Sequence, residues 1–484
     1  MKLLLVQPPI RHQVWAGVPK AVNHRGSHLF PSLSVMGLTS FVNERTDHQA
    51  RVVDFRLDEP DVDTMGRRIA EHRPDVLGIT AMTHNLANVV DVVAAARKHS
   101  PNTYIVVGGP HSNAFPEMAA RLQGPDVAVY GDGEFALKGI MDALEAGEDV
   151  MTAPGTITTD ETGEIVRGAE PVTIKDLDTL PFPDRSWMPK GTYYTPGMRE
   201  KETTTIISSR GCPYHCIFCS VPRNFRARSA VHVVEEMVEC EQKYGIREVH
   251  FVDDLFNITE QRVIEISEEI LRRNVKIIWG FKGSPRNVSE ESLALAKRAG
   301  CVRAHYGVET YSKEGVNMME KPATIGQVKR AFDLTNKVGI RAIAYMIIGS
   351  PHERTYDDIV RVTPFTHRLN PDYVVYSLFS PYPDTESFHL GVRHGLWADD
   401  VWERFMLDPK PGVNLPTTWQ EHIAKDELVR AFKQVNRAFY MHPRTLFKTF
   451  AKVRRVSELK RVLSGGLSLL RLWVHRPTLS RANF

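Results

Sequence analysis

From residue 1 to about 150, short runs of aliphatic and β-branched residues alternate with longer amphipathic stretches. The runs at 3–6, 52–54, 76–80, 104–107 and 127–130 read as strands, and the stretches at 35–44, 65–72, 86–99, 117–122 and 134–146 read as helices. This regular order predicts an α/β unit over 1–150 with a doubly wound parallel sheet, whose ligands bind beyond the C-terminal ends of the strands. Residues 151–200 are rich in Thr, Pro and Gly without a sustained period and read as a linker. A second β-α series follows, with strands expected at 203–208, 248–252, 276–279, 304–308, 341–348 and 373–377. It predicts a partial (β/α)6 TIM-like barrel over 201–390. Beyond residue 390 the period is purely helical, with Leu428, Phe432, Val435 and Phe439 on one face, so 391–484 reads as a helical C-terminal domain.

Composition narrows this picture. The chain has 484 residues, 42% of them hydrophobic, enough for several buried cores. The opening MKLLLVQPPI is too short an apolar run to predict a signal peptide, and no stretch approaches the roughly 18 apolar residues of a membrane span. Five cysteines, three of them within eight positions, point away from disulfides and toward a metal site in a reducing, cytoplasmic setting. Charge is uneven. Residues 441–484 hold ten Lys/Arg and one Glu, a net of +9, which leaves −6 for the rest of a chain whose total is +3. Leu446, Phe447, Phe450, Val453, Val456, Leu459, Val462 and Leu463 recur there at helical spacing beside Lys448, Lys452, Arg454, Arg455 and Lys460. Such a basic amphipathic helix either closes the barrel or makes a peripheral membrane contact. Nucleic acid is not expected as a partner, because no stacking platform accompanies the charge.

The chemistry concentrates at Cys212, Cys216 and Cys219, spaced C-x3-C-x2-C directly after a predicted strand. Thiolates are the soft ligands of Fe–S clusters, and three of them leave one iron of a 4Fe-4S cube open for substrate. A sulfonium such as S-adenosylmethionine can chelate that iron and be cleaved by one electron to a 5′-deoxyadenosyl radical. A structural zinc site is the competing reading. It normally needs four ligands, and Cys240 or Cys301 would have to supply the fourth.

The triplet, with Phe218 before its third cysteine, resembles the radical S-adenosylmethionine superfamily. The resemblance continues through residues 200–390. It implies that Phe218 packs near the adenine, that Asp253 and Asp254 reach the amino group of S-adenosylmethionine, that Glu309 contacts its ribose or methionine part, and that the segment at Gly349 lies along the adenine. An external electron donor of the flavodoxin or ferredoxin type is implied as well.

The N-terminal sheet carries no G-x-G-x-x-G, which disfavours a dinucleotide. Its strand-end segments, namely Gln7-Pro8-Pro9, Thr80 to His84 with Thr83, Gly108-Gly109-Pro110-His111 and Gly131-Asp132-Gly133-Glu134, precede the radical motif in an order that resembles the cobalamin-dependent radical enzymes. That subgroup includes the anaerobic magnesium-protoporphyrin oxidative cyclase and radical methylases. The resemblance implies a Rossmann-like cobalamin domain. The loop after the first strand lacks D-x-H-x-x-G, so cobalt is expected base-off, with His12, His84 and His111 as the remaining histidine candidates.

The function implied is a methyltransferase acting on an unactivated carbon, or a phosphorus, of a small or lipid-like molecule through methylcobalamin and a 5′-deoxyadenosyl radical. A radical cyclase or ring-rearranging enzyme with the same cofactors is the second hypothesis. A non-enzymatic cobalamin- or zinc-binding sensor is the third. Substrate contacts are expected from Trp279, Lys282, Arg303, His305, Tyr345, Tyr382 and Asp384.

Overall fold

A computed structural model describes residues 1–14, 29–189, 191–193 and 198–452. Two compact units divide the chain. The first is Met1–Val14, Ser32–Met188 and Asp399–Leu415, and the second takes the remaining described residues.

The first unit is built on strands β1 (Lys2–Gln7), β2 (Gln49–Asp54), β3 (Val76–Thr80), β4 (Tyr104–Gly108) and β5 (Val127–Val129), all parallel. Helices α1 (Leu33–Arg45), α2 (Val62–His72), α3 (Leu86–His99), α4 (Pro110–Ala114), α5 (Pro116–Ala120) and α6 (Gly133–Ala146) connect and follow them. The strand order is β2-β1-β3-β4-β5, so the sheet winds outward both ways from β1. This creates a topological switch point beside β1 and β3, where such sheets bind their ligands. Leu3, Leu5, Val76, Val106, Val127, Ala136 and Ile140 form a core between sheet and helices.

Residues 151–200, expected to be a linker, contain a hairpin: β6 (Thr156–Thr159) and β7 (Ile165–Arg167) extend the sheet antiparallel from β5. Its strands of four and three residues are too short to show an alternation in sequence. The turn is written in Asp160, whose Oδ1 accepts from the backbone N–H groups of Thr162 and Glu164.

The second unit holds β8 (Thr203–Ile206), a two-residue ladder of β9 (Ser209–Arg210) and β10 (Arg226–Ala227), then β11 (Glu248–Phe251), β12 (Ile278–Gly283), β13 (Cys301–Glu309), β14 (Arg341–Ile348) and β15 (Tyr373–Leu378). Strands β8 and β11 to β15 make one six-stranded parallel sheet in sequence order. Helices α7 (Ala230–Gln242), α8 (Glu260–Arg272), α9 (Glu290–Arg298), α10 (Lys313–Met318), α11 (Ile325–Val338), α12 (Tyr356–Val360) and α13 (Val362–Leu369) lie between the strands. Phe251, Phe256, Trp279, Phe281 and Tyr306 form a layer of ring contacts on the helix-facing side. Each such side chain contributes roughly 1.5–3 kcal/mol of burial free energy.

Beyond the barrel come α14 (Glu386–Arg393), α15 (Val401–Leu407), α16 (Lys425–Tyr440) and α17 (Pro443–Ala451). The α16 stripe of Leu428, Phe432, Val435 and Phe439 is buried in the barrel core. Asp399–Leu415, expected in the helical C-terminal domain, instead belongs to the first unit, with Trp402, Phe405 and Met406 buried. Among the described residues no helix is long and apolar enough to cross a membrane. Lys448 and Lys452 turn toward the barrel: Lys448 Nζ donates to Asn370 O at 2.6 Å, and Lys452 pairs with Asp372. These two charges are therefore spent on the barrel, while Phe447 is exposed. The expected helical positions from Val453 to Leu463 lie outside the described residues.

Candidate functional site

The cysteine loop springs from the C-terminal end of β8. Gly211 begins it at φ +82°, and a Cβ there would lie 2.4 Å from Asn224 O, so only glycine fits this turn. Cys212 N donates to Pro222 O at 2.9 Å, and Cys219 N to Cys216 O at 3.1 Å. The loop's frame is held from β11: Asp253 accepts from Ser208 N, Ser208 Oγ and Ser209 Oγ, and Asp254 accepts from Gly211 N at 3.2 Å.

Cys216 and Cys219 line a cleft of about 250 Å³ together with His215, Arg223, Glu320 and Asp384. Burial raises the thiol pKa of both; Cys219 and Cys212 add to the shift of Cys216, and Cys212 and Asp254 add to that of Cys219. Thiolates crowded in this way call for a strongly cationic partner, which an iron–sulfur core provides. Among the described residues no three His, Cys, Asp or Glu side chains converge on a single ion. A cube takes each thiolate on a different iron, so its ligands need not converge as those of a zinc ion must. Cys240 and Cys301 are buried in the helix-side core, so neither serves as a fourth ligand of the triplet.

Around the cleft, Phe218 packs edge-on to Phe379 at 6.5 Å between centroids. Lys321 Nζ lies 5.8 Å from the centre of the Phe218 ring and 3.3 Å from Glu309 Oε1. Burial works against the Lys321 ammonium, yet Glu309 and Cys216 outweigh it and hold its pKa above the ordinary value. Lys321 was not singled out in the sequence because its neighbourhood forms only through tertiary contact. Glu309 itself sits at φ +67° beside a register shift at the end of β13. A non-glycine residue in this conformation is locally strained, a feature common at functional sites.

At the end of β14, Gly349 has φ +72° and faces Leu428, 2.7 Å from where a Cβ would stand. The next residue, Ser350, donates through its N–H and Oγ to Glu353 Oε2, both at 3.0 Å. Burial pushes the Glu353 carboxyl up to about 7.

Strand alternation separates the expected substrate contacts. Trp279 faces the helices, fully buried, with Nε1 donating to Ala299 O, and so is not a substrate contact. Arg303 is buried in an ion pair with Glu248, already matched. Lys282, His305 and Tyr345 lie on the concave face: Lys282 is the register partner of His305, while Tyr345 pairs with Gly307 and reaches His305 through its hydroxyl. Asp384 lines the cysteine cleft, its carboxyl raised by burial, and Tyr382 is partly exposed.

In the first unit, the four predicted segments all follow strand ends. Pro8 and Pro9 are buried after β1. Gly109 has φ +102°, and a Cβ on it would come within 2.8 Å of Thr80 Oγ1 and 3.2 Å of Ala81 O. His111 N donates to Ala81 O, and Thr83 Oγ1 lies 3.1 Å from His111 Nδ1, so the loops after β3 and β4 are stitched together. Pro110 opens α4, where its missing N–H costs nothing. Gly131 has φ +91° and donates to Asn113 Oδ1, and Asp132 accepts from Ile174 N. Gly133 and the buried Glu134 start α6. Met82, exposed between Thr80 and Thr83, was not anticipated, since an apolar residue in a loop carries no motif.

Of the three histidines, His12 points to Asp91 at 3.7 Å and His111 is fully buried with its pKa lowered to about 4 by burial. His84 is also lowered to about 4 by burial.

Comparison with known proteins agrees with this geometry. Residues 206–362 match the radical SAM superfamily model and residues 31–141 match the B12 binding domain model. An uncharacterized methyltransferase of Pyrococcus horikoshii is 28% identical over 93% of this chain and 94% of its own length. The anaerobic magnesium-protoporphyrin IX monomethyl ester cyclase of Rubrivivax gelatinosus is 26% identical over 69% of this chain, a match spanning 62% of the cyclase. The solved structure of the radical S-adenosylmethionine methyltransferase TsrM from Kitasatospora setae, with cobalamin and a 4Fe-4S cluster bound, shares the fold at a TM-score of 0.70. Its sequence identity is 18%, over 98% of this chain and 99% of that one. With a thiol-lined barrel cleft and a glycine-built switch point in one polypeptide, this chain is a radical S-adenosylmethionine enzyme that also carries a B12-binding domain, and its cofactors are a 4Fe-4S cluster, S-adenosylmethionine and cobalamin.

Proposed function

We propose that the protein is a methyltransferase that places a methyl group on an unactivated carbon, or a phosphorus, of a small molecule. The observation that carries this reading is the presence in one chain of two parallel sheets with ligand-ready strand ends, one ending in three thiols and one in backbone turns that exclude a Cβ. The relative matched along nearly its whole length is also named a methyltransferase. When bound, the cofactors supply a transferable methyl group and a radical strong enough to remove an unactivated hydrogen.

The residues divide that work. Cys212, Cys216 and Cys219 hold three irons and leave the fourth open. Asp254 and Glu309 would hold S-adenosylmethionine through its ammonium and ribose, while Asp253 keeps the loop in place through its bonds to Ser208 and Ser209. Phe218 and the backbone at Gly349 bracket the adenine. In the first unit Gly108, Gly109 and Gly131 give the nucleotide tail of cobalamin a surface free of side chains, with Thr80 and Thr83 beside it. An external flavodoxin- or ferredoxin-type protein delivers the electron.

The test uses anaerobically reconstituted protein, a low-potential reductant and S-adenosylmethionine with a deuterated methyl group. Methyl transfer produces S-adenosylhomocysteine and deuterium-labelled methylcobalamin along with 5′-deoxyadenosine. If 5′-deoxyadenosine forms with neither of the other two, the cyclase or rearranging reading replaces this one. If none of the three forms, the protein is a sensor.

A further inference from the structure

The alternation that sends Phe251, Phe281 and Tyr306 to the helices sends Glu248, His250, Lys282, Arg303, His305 and Tyr345 to the concave side of the barrel sheet. These six do not form one satisfied network. Glu248 and Arg303 neutralise each other, and Glu248 also accepts from Arg199 N and Glu200 N at 2.5 and 2.8 Å.

The remaining four are in a different state. The His250 and His305 rings are 4.6 Å apart, and His305 Nδ1 lies 3.1 Å from Tyr345 Oη. His250 is 2% exposed, yet its Nδ1 has no hydrogen-bond partner, and neither has His305 Nε2. Lys282 is the register neighbour of His305 and has no hydrogen bond or ion pair among the described residues. Its Nζ lies 5.6 Å from the centre of the Phe30 ring, which stacks on His250 at 6.2 Å and 20°.

Leaving a desolvated ammonium and two imidazole nitrogens without partners is unfavourable, and buried polar groups of native proteins are normally matched. The nearby carboxylates do not bond to Lys282. Asp253 Oδ1 is taken up by Ser208 and Ser209 while its Oδ2 has no hydrogen-bond partner, and Asp254 accepts from Gly211 N. Burial lowers the pKa of Lys282 and of both histidines, as expected where donors outnumber negative charge.

We infer that this face of the barrel recognises an anionic oxyacid group of the substrate, a carboxylate or a phosphate, with Lys282 as counter-ion and His250 and His305 as hydrogen-bonding groups. Phe30 supplies the aromatic wall against which the rest of the ligand packs. The inference rests on the proposed enzymatic function and narrows its substrate to organic acids or phosphate esters.

The experiment uses the reconstituted holoenzyme saturated with S-adenosylmethionine, without reductant, and two probe pairs: phenylacetate against phenylacetamide, and phenyl phosphate against phenol. Calorimetric titration gives the affinities. In at least one pair the anion binds about tenfold more tightly than its neutral partner, as one charge-assisted hydrogen bond implies. The preferred pair tells carboxylate from phosphate. Lys282→Met brings the ratio to about one, whereas Lys282→Arg retains it. His305→Gln, which keeps the ammonium, lowers the ratio only in part and serves as the second variant should Lys282→Met not fold. Equal binding within both pairs, or a ratio unchanged in both Lys282→Met and His305→Gln, overturns the inference. Cleavage of S-adenosylmethionine by the native enzyme upon reduction is read separately. A protein that cleaves without anion preference refutes this inference alone, and one with anion preference that never cleaves refutes the enzymatic reading.

Discussion

At the strand ends of the first sheet, the loops are stitched together by their own hydrogen bonds and the turns are built on glycine backbone. Gly109 and Gly131 hold turns that a side chain would obstruct, His111 is bonded to the loop after β3, and Asp132 is used by Ile174 N. The barrel ends its strands in the opposite way, with thiols raised by burial, a glutamate in a left-handed conformation, and a lysine and one nitrogen on each of two imidazoles without hydrogen-bond partners. The difference matches what the proposed function asks of each region. A large preformed cofactor needs space and backbone contact, because its chemistry is its own. A site that opens a cluster, orients a sulfonium and selects a substrate needs charge and donors held ready in advance.

Substitutions should therefore have separable effects, and the largest is Cys216→Ala. It removes a thiol that lines the cleft, and the expected outcome is loss of the 4Fe-4S absorbance and of 5′-deoxyadenosine to background, with cobalamin still bound. Joint loss of both cofactors would show that the two regions are not independent. Gly109→Val is the mirror case. Its φ of +102° and a Cβ 2.8 Å from Thr80 Oγ1 make any side chain obstructive. Cobalamin retention should fall by about tenfold or more, equivalent to about 1.4 kcal/mol, while cluster content stays at the native level.

The third effect is on the response to pH, where the regions should differ in sign. Glu353 in the barrel is raised from 4.5 to about 7, so folding takes up a proton. The stability linked to it is complete below about pH 4.5 and is lost as pH rises through 7. His111 in the first sheet is lowered from 6.5 to about 4, so its contribution is present above about pH 6.5 and is lost as pH falls through 4. Each shift corresponds to about 3 kcal/mol. Glu353→Gln should flatten the alkaline side of the stability profile and His111→Gln the acid side, read by denaturant titration at several pH values. If both variants moved the same side, the contrast between the two regions would fail.

Much of this organisation was legible in the sequence for a simple reason. A parallel strand buried on both faces reads as an unbroken aliphatic or β-branched run, as at β1, β3 and β4, and the barrel strands β11 to β13 stand out by alternating apolar residues with polar ones. The hairpin at Thr156–Thr159 and Ile165–Arg167 escaped notice because a short edge strand needs no such run. Asp399–Leu415 was assigned to the wrong unit because the local pattern of a helix says that it buries a face, not against which core.

The site divides along the same line. Chemistry carried by neighbours in sequence, such as the spacing of Cys212, Cys216 and Cys219 or the glycine pair at Gly108 and Gly109, was determined by sequence alone, since a loop of fixed length presents fixed ligands. The rest was decided by the tertiary structure. Which face of β12 and β13 meets the helices separates Trp279 from Lys282 and Arg303 from Tyr306. The pairing of Lys321 with Glu309, the loss of Arg303 to Glu248 and the two buried, unpartnered imidazole nitrogens on the concave side all depend on tertiary placement. Register joins residues far apart in the chain, and a one-residue shift would send every one of these side chains to the opposite face.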